Sequence, residues 1–226
     1  MNLKKVRKYR KILNKTAGLF KENPVFALAM TLPFIIVPAV SLKSAVVMCL
    51  FIFVSTVPSA VVATLVKDKV KSIYAIPLYC VIAMLAVTLL RIKLKSHAVI
   101  LEEIGIYIWL TAINSIMIKL SATKPRKKWV DGLKDAVMMC LGFSMACCFV
   151  GAIRELLVSK TIWGNPVSFA KTQLIAGEMP FFGFIIIGFA CALFRSFSGA
   201  ITYGLFSSPS RVSHKNIAEE SAGDKA

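Results

Sequence analysis

Long apolar runs dominate the chain and predict helices that cross a membrane. The hydrophobic residues form long stretches separated by short basic clusters, not the one-sided stripes of helices that cover a soluble core. About 20 apolar residues are enough for a helix to cross a bilayer. We therefore predict an all-α polytopic membrane protein with six transmembrane helices, at Pro24–Val40, Ala45–Val66, Ile73–Leu90, Ala98–Ile118, Asp135–Ile153 and Met179–Phe194.

Two of these spans look interrupted. The first is short and contains Pro33 and Pro38, and the fourth has Glu102 and Glu103 near its start. The apolar part of the fourth, residues 104–118, would rise only about 22 Å as a helix, less than the roughly 30 Å of a bilayer core. Spans one and four are each the first helix of a three-helix half. Because each half crosses the membrane an odd number of times, the second half would be inverted relative to the first. This pattern predicts two inverted three-helix repeats with their functional centre at the interruptions; tilted or kinked helices are the alternative.

Composition and charge support a membrane protein with a defined orientation. Hydrophobic residues make up 57% of the chain and charged residues 17%, which excludes an ordinary soluble domain. The net charge of +17 comes from short clusters between apolar runs, which favours positive-inside bias over a nucleic-acid partner. Twenty Lys and Arg residues fall on the side of both termini and six on the other side. Both termini are therefore expected in the cytoplasm and the protein in the inner (plasma) membrane.

The same pattern divides the chain into three parts. Residues 1–21 form a basic cytoplasmic arm, residues 22–206 the six-span membrane domain, and residues 207–226 a polar cytoplasmic tail expected to be disordered. Apolar positions in the arm fall loosely on one helical face. A helix lying on the inner leaflet and plain disorder both remain open for the arm.

The stretch GAIRELL places Arg154 and Glu155 directly after an apolar run. Adjacent helical residues do not face each other, so these two do not form a simple ion pair. One interpretation is an arginine that snorkels to the outer interface, with the glutamate near water. The other is a docking or ion-access site on the outer face that also uses Glu102 or Glu103. Asp135 lies 19 residues before Arg154, about 28 Å along a helix, and so at the opposite membrane face.

Two further polar features lie in the fourth span. Neighbouring carboxylates at Glu102 and Glu103 can raise each other's pKa and admit cations, or they can cap the positive N-terminal end of the helix. Asn114 is a buried amide that needs partners in lipid, and it can satisfy backbone groups freed at a helix break. We expect Asn114, helped by Ser115 and Pro33, to maintain such a break.

No self-contained catalytic or metal site is indicated. All six cysteines lie in apolar runs without a C-x-x-C motif or a histidine at metal-ligand spacing, so neither a metal site nor disulfides are expected. Cys147 and Cys148 are adjacent and point about 100° apart on a helix, which suits packing and not chelation. The chain also lacks a phosphate loop, a nucleophile beside a base and a dinucleotide fingerprint.

Four segments carry a family resemblance: FKENPVF, AMTLPFIIV, IGIYIWLTAINSIMI and GAIRELLVSKTIWG. In their order and spacing, from about Lys21 to Phe194, they resemble the membrane subunits of Rnf and Nqr electron-transport complexes. Cytoplasmic termini suit the RnfE/NqrD type. The resemblance implies pairing with an inverted RnfA/NqrE-like subunit and other redox subunits. It also implies a 2Fe-2S cluster, held by one cysteine from each half of each subunit, that relays electrons while Na⁺ or H⁺ is moved.

The chain departs from the family pattern at the cluster ligands. Leu32 stands where the family has a cysteine before a proline, and Ser115 follows Asn114 where the second cysteine is expected. Because thiolates are the usual ligands of such clusters, we expect no cofactor in this chain and a scaffolding role in the complex. The arginine–glutamate pattern and the acid at Asp135 look like family features, which favours the outer-face site. The alternative function is a small inverted-repeat transporter or channel, with a polar path through Asn114, Ser115, Ser55 and Thr56.

Overall fold

The computed structural model of the protein describes residues 23–66, 70, 72–122, 129–166, 177 and 179–206. The predicted arm at residues 1–21 and the predicted tail at residues 207–226 lie outside the described residues, as do most residues of the basic loops. The described chain is helical apart from turns and one small hairpin.

The elements follow in chain order. The helices are α1 Pro33–Ile36, α2 Leu42–Val66, α3 Ser72–Lys93, α4 Ala98–Ile104, α5 Tyr107–Leu110, α6 Ser115–Ala122, α7 Trp129–Val158 and α8 Pro180–Phe206. Single 3₁₀ turns at Lys95–His97 and Thr111–Ile113 precede α4 and follow α5. The hairpin pairs β1, Thr161–Ile162, antiparallel with β2, Asn165–Pro166.

Three described helices are long and apolar enough to cross a membrane: Leu42–Val66, Tyr74–Lys93 and Trp129–Val158. A fourth candidate is a bent pair, Lys95–Ile104 and Tyr107–Leu120, whose two arms meet at 86°. The part of α8 at Pro180–Ser196 is a shorter apolar helix. The helical membrane fold is thus confirmed, with three or four candidate spans among the described residues.

The first predicted span is not a continuous helix. Its helical part, α1, has four residues, and Ala29 and Thr31 before it adopt left-handed φ angles of 51° and 61°. The prediction of a helix over Pro24–Val40 is therefore wrong, although the interruption that the prolines indicated is present. The fifth span was predicted too short, because α7 begins six residues before Asp135 and ends beyond Arg154.

The core of the molecule is an antiparallel contact between α2 and α7. A Cβ added at Gly132 would lie 2.4 Å from the Thr64 Cγ2, and one added at Gly151 would lie 2.8 Å from the Ala45 Cβ. Gly132 and Gly151 are 19 residues apart on α7, and their partners Thr64 and Ala45 are 19 residues apart on α2 but in the reverse order. The two backbones therefore stay close over about 28 Å, as small residues allow in membrane helix pairs.

The bend in the fourth predicted span occurs at Gly105. Its φ of 56° and ψ of −126° belong to a region that side-chain-bearing residues avoid, and its N–H still donates to the Leu101 carbonyl. The chain then continues through α5 and a 3₁₀ turn to a second break at Asn114, which is extended at φ −92° and ψ 150°. Glu102 and Glu103 near the start of the predicted span correctly indicated an interruption here, and Gly105 adopts the backbone conformation that the bend requires.

Candidate functional site

Asn114 bridges the second break in the fourth predicted span. Its Oδ1 accepts a hydrogen bond of 2.8 Å from the Met117 N–H, which caps the first turn of α6. Its Nδ2 donates to the Thr111 carbonyl at 2.8 Å, before the break. The side chain is fully buried. It thus satisfies backbone groups on both sides of the interruption, as predicted for an amide in lipid.

The same amide joins the break to α2. The Asn114 Nδ2 lies 3.1 Å from the Ser55 Oγ and 3.2 Å from the Thr56 Oγ1, and both hydroxyl residues are fully buried. We call Ser55, Thr56, Thr111 and Asn114 the asparagine cluster. No buried side-chain nitrogen or oxygen of the described residues lacks a hydrogen-bond partner. The polar atoms of the asparagine cluster bond to one another and to backbone and so connect two segments of the fold. Because none of them is left over to line a polar path, this arrangement does not favour the transporter alternative.

Ser115 does not take part in this joint. It is the first residue of α6, and its side chain is exposed. The expectation that Ser115 helps Asn114 to satisfy the break is therefore wrong, and Ser55 and Thr56 on α2 take that place. Pro33 occupies the first position of α1, where its missing N–H costs no helical hydrogen bond.

Arg154 is the largest fully buried side chain among the described residues. Its Nη1 donates to the Ile36 carbonyl at 2.6 Å and to the Ala39 carbonyl at 3.4 Å. Its Nε donates to the Gly177 carbonyl at 3.1 Å, and its Nη2 to the Met179 carbonyl at 3.4 Å. One guanidinium therefore joins α7 to the end of α1 and to the segment that leads into α8.

This geometry corrects the snorkelling interpretation of Arg154. A snorkelling side chain would reach water, whereas this one has no exposed surface and donates to backbone carbonyls of two other segments. The carbonyls at the end of a helix lack intrahelical partners, so a cation with several donors in a fixed geometry fits them well. In this fold Arg154 fixes the first interrupted segment.

Glu155 connects segments in the opposite chemical sense, because its carboxylate accepts hydrogen bonds from N–H groups whereas Arg154 donates to carbonyls. Its Oε2 accepts from the Leu42 N–H at 2.8 Å, at the first residue of α2. Its Oε1 accepts from the Gly164 N–H at 2.9 Å and from the Thr161 Oγ1 at 3.1 Å. A carboxylate is favoured at a helix N-terminus, where N–H groups lack partners. Glu155 thus connects α7 with α2 and with the β1–β2 hairpin.

The other predicted ion or partner residues lie apart from these joints in the fold. Glu102 and Glu103 are exposed in the last turn of α4, just before the bend. Neither α4 nor α5 has an acidic residue in its first turn, so the helix-capping interpretation is wrong. Asp135 is half-buried within α7. A role of Glu102, Glu103, Asp135, Arg154 or Glu155 toward an ion or a partner stays a prediction.

The two positions at which the family resemblance implies cluster ligands hold residues that do not fit an iron–sulfur cluster. Leu32 flanks the start of α1 and is half-buried, with its aliphatic side chain packed against the core. Ser115 presents a neutral hydroxyl at the start of α6. Iron–sulfur clusters are held by thiolates, and neither side chain supplies one. Both positions lie at the start of a short helix that follows an interruption.

Two of the cysteines, Cys147 and Cys49, contact backbone carbonyls across the α2–α7 pair. The Cys147 Sγ donates to the Ala45 carbonyl at 3.7 Å, and the Cys49 Sγ to the Ser144 carbonyl at 4.0 Å. No group of three or more His, Cys, Asp or Glu side chains suited to a metal ion occurs within the described ranges. These contacts are consistent with cysteines that pack between α2 and α7.

Asn23 is a structural residue that the sequence interpretation missed. Its Oδ1 accepts from the Val25 and Phe26 N–H groups at 2.9 and 3.0 Å, and its Nδ2 donates to the Gly142 carbonyl on α7 at 3.2 Å. The side chain is fully buried. The dipeptide Asn23-Pro24 could have indicated it, because Asn-Pro favours the start of a turn.

The chain is similar in sequence to a known family of membrane proteins and to several of its members. Residues 11–200 match the family model described as "Rnf-Nqr subunit, membrane protein". The E component of the proton-translocating ferredoxin:NAD(+) oxidoreductase complex of Clostridium ljungdahlii is 28% identical over 80% of this chain and 86% of its own. The E component of the Na(+)-translocating complex of Acetobacterium woodii is 28% identical over 67% and 78%, respectively. The E component of the ion-translocating oxidoreductase complex of Shewanella loihica is 27% identical over 78% and 83%.

Proposed function

Because this chain belongs to the Rnf-Nqr family of membrane subunits, we propose that it is the RnfE-type membrane component of an ion-translocating oxidoreductase complex. In this proposal the chain holds other redox subunits in place and carries no iron–sulfur cluster of its own. The observation that carries the proposal is the family match over residues 11–200, which includes both interrupted segments.

The chemistry of the two interrupted segments supports the scaffolding part of this proposal. Leu32 and Ser115 stand where the family resemblance implies thiolates, and neither can replace one. The interruptions are nevertheless kept in shape by Arg154 and by Asn114, through hydrogen bonds that need no metal. A fold held in this way can stay intact as a partner for other subunits without a cluster.

The proposed architecture has six crossings in two inverted halves. The interrupted segment that contains α1 forms the first crossing, the bent pair the fourth and α8 the sixth. Both termini lie in the cytoplasm and the protein in the inner membrane, as the distribution of lysine and arginine favours. An RnfA/NqrE-like subunit of opposite orientation is the expected neighbour.

The transported ion is left open by the relatives. One of them is named as part of a proton-translocating complex and another as part of a Na⁺-translocating complex, at the same identity to this chain. The proposal is therefore limited to the class of complex.

Affinity purification from native membranes tests the proposal. A tagged full-length chain, extracted in mild detergent, is expected to bring along an RnfA/NqrE-like membrane protein and flavin- or iron-containing redox subunits. Recovery of the chain without any redox protein, together with ion flux by the chain alone in proteoliposomes, would favour the transporter alternative.

Iron and acid-labile sulfide assays test the absence of a cluster separately. The chain expressed alone is expected to be colourless and to contain no stoichiometric iron or sulfide. The double variant Leu32→Cys/Ser115→Cys, co-expressed with the RnfA/NqrE-like subunit that would supply the other two ligands, is the matched comparison, with the wild-type chain co-expressed in the same way. A reddish wild-type protein with a reducible iron–sulfur spectrum would overturn the scaffolding role but not membership of the complex.

A further inference from the structure

A cavity of about 190 Å³ lies where the end of α3, the start of α4 and the helix α5 come together. It is separate from the asparagine cluster and from Arg154. Its lining combines apolar side chains with two cations, one carboxylate and one indole: Thr88, Arg91, Ile92, Lys95, Ala98, Leu101, Glu102 and Trp109.

The cations of this cavity are open to a ligand. The Arg91 guanidinium lies over the Trp109 ring, 5.0 Å from its centroid, and forms no ion pair with another described residue. Lys95 and Glu102 are exposed and have no hydrogen bond or ion pair within the described chain. Together the three charged groups leave the cavity with one net positive charge. Such a site is complementary to a phosphate, which arginine and lysine both bind readily.

An exposed apolar stripe leads along α3 to the same cavity. Val81, Leu85, Leu89 and Ile92 are between 54% and 64% exposed. Their spacing of four, four and three residues places them on one face of the helix. Only 22% of the apolar window of this candidate span is buried inside the molecule. Ile92 belongs to both the stripe and the cavity lining, so the apolar surface and the cations are continuous.

We propose that this cavity binds an anionic phospholipid, with its phosphate between Arg91 and Lys95 and an acyl chain along the α3 stripe. The position suits a lipid headgroup, because tryptophan is enriched at both membrane–water interfaces and Lys and Arg near helix ends extend their charges to the interface. A free phosphate would use the two cations but gain nothing from the stripe. The combination of both features therefore selects a lipid.

Native mass spectrometry of the full-length chain tests the site. The protein is purified in detergent, and dioleoyl phosphatidylglycerol is added in increasing amounts. Each lysine or arginine near an anionic lipid surface lowers the Kd about 5-fold, so Lys95→Gln is expected to weaken lipid binding about 5-fold. The double variant Arg91→Gln/Lys95→Gln is expected to weaken it about 25-fold. Lys95 forms no hydrogen bond or ion pair within the described chain, so its replacement leaves the fold unchanged.

Lys93→Gln is the matched control, because Lys93 is the exposed last residue of α3, two positions before Lys95, and carries the same charge but does not line the cavity. It is expected to bind the lipid like the wild type. Leu89→Gln, in the exposed stripe, is expected to weaken binding of the lipid without affecting binding of inorganic phosphate.

Three results would overturn the proposal. The first is equal loss of binding in Lys93→Gln and Lys95→Gln, which indicates a general charge effect. The second is inorganic phosphate binding as tightly as the lipid, which indicates an anion site without lipid specificity. The third is dioleoyl phosphatidylcholine binding as tightly as phosphatidylglycerol, which removes the role of net charge.

Discussion

Arg154 and Glu155 show how two adjacent charges can be stable inside a membrane protein. A buried charge is costly unless hydrogen bonds replace the water it loses. The arginine donates to carbonyls near α1 and α8, while the glutamate accepts from N–H groups of α2 and the hairpin. They point about 100° apart on α7, so each reaches a different set of segments. Among the described residues, Arg154 donates to backbone carbonyls, whereas Glu155 accepts from backbone N–H groups and from the Thr161 hydroxyl.

Replacing Arg154 with glutamine should therefore destabilise the first interrupted segment. Glutamine has one donor group and a shorter side chain, so it cannot reach the carbonyls of Ile36, Ala39, Gly177 and Met179 together. Hydrogen bonds to charged groups contribute about 1.5–3 kcal/mol each, and we expect a loss of at least about 3 kcal/mol. The measurement is thermal unfolding of the purified protein in detergent.

Arg195→Gln serves as the control for this experiment, because Arg195 is exposed on α8 and loses the same charge. It should unfold within about 0.5 kcal/mol of the wild type, as surface substitutions usually do. An Arg154→Gln protein as stable as the wild type, but defective in recovering partner subunits, would instead support the predicted docking role.

The residue scale also shows what sequence can reveal about such sites. Asn114 could be predicted, because an amide inside an apolar run must find partners and the first of these are its own backbone neighbours. The partners of Arg154 could not be predicted. They are backbone carbonyls more than 100 residues earlier and more than 20 residues later in the chain. Because every residue has a backbone carbonyl, the sequence does not show which ones a distant arginine contacts.

At the scale of elements, the continuous helices and the places of the two interruptions were predictable, whereas the backbone shape of the interrupted segments was not. The runs behind α2, α3 and α7 are long and apolar, so hydropathy alone located their ends to within about six residues. The segment before α2 has a similar composition but depends on left-handed turns at Ala29 and Thr31. Its shape depends on three tertiary contacts, namely the Asn23 hydrogen bond to the Gly142 carbonyl, the Arg154 hydrogen bonds and the close packing of Ile36 on Gly183.

The contact between α2 and α7 predicts a steric effect at Gly151. A Cβ there would lie 2.8 Å from the Ala45 Cβ and 3.1 Å from the Ser41 carbonyl oxygen, so Gly151→Ala forces the two helices apart. Overpacking of this kind typically costs about 1–3 kcal/mol, which thermal unfolding in detergent can measure. Gly188→Ala is the comparison, since nothing lies within 4 Å of a Cβ at that position. It should be neutral or stabilising, because alanine favours helix over glycine by about 1 kcal/mol. Equal effects of both substitutions would contradict close packing at Gly151.

At the scale of the whole molecule, the continuous helices support the interrupted ones. The asparagine cluster fixes the second interrupted segment to α2, and Arg154 fixes the first to α7. Since α2 and α7 pack against each other, both interruptions are tied to the same rigid pair. This arrangement explains how the fold keeps both interruptions in shape although the ligand positions hold Leu32 and Ser115.

The orientation of the molecule in the membrane can be tested at the two ends of α7. With 30 residues this helix is about 45 Å long, more than the roughly 30 Å of a bilayer core, so both ends should reach water. Trp129 lies at its start, directly after the basic stretch KPRKK in the sequence, and Trp163 lies in the hairpin beyond its end; both are exposed. In the proposed orientation, which follows the charge distribution, Trp129 lies on the cytoplasmic side and Trp163 outside.

Trp129→Cys and Trp163→Cys form a matched pair for labelling with a membrane-impermeant maleimide. In right-side-out vesicles Trp163→Cys should react at once, and Trp129→Cys only after the membrane is permeabilised. The parent protein measures the background, because its six cysteines are buried or half-buried in the apolar helices. The reverse pattern would place the basic loops outside and contradict cytoplasmic termini. Labelling of both variants from one side would show that α7 does not cross the membrane, and the six-crossing architecture would then fail.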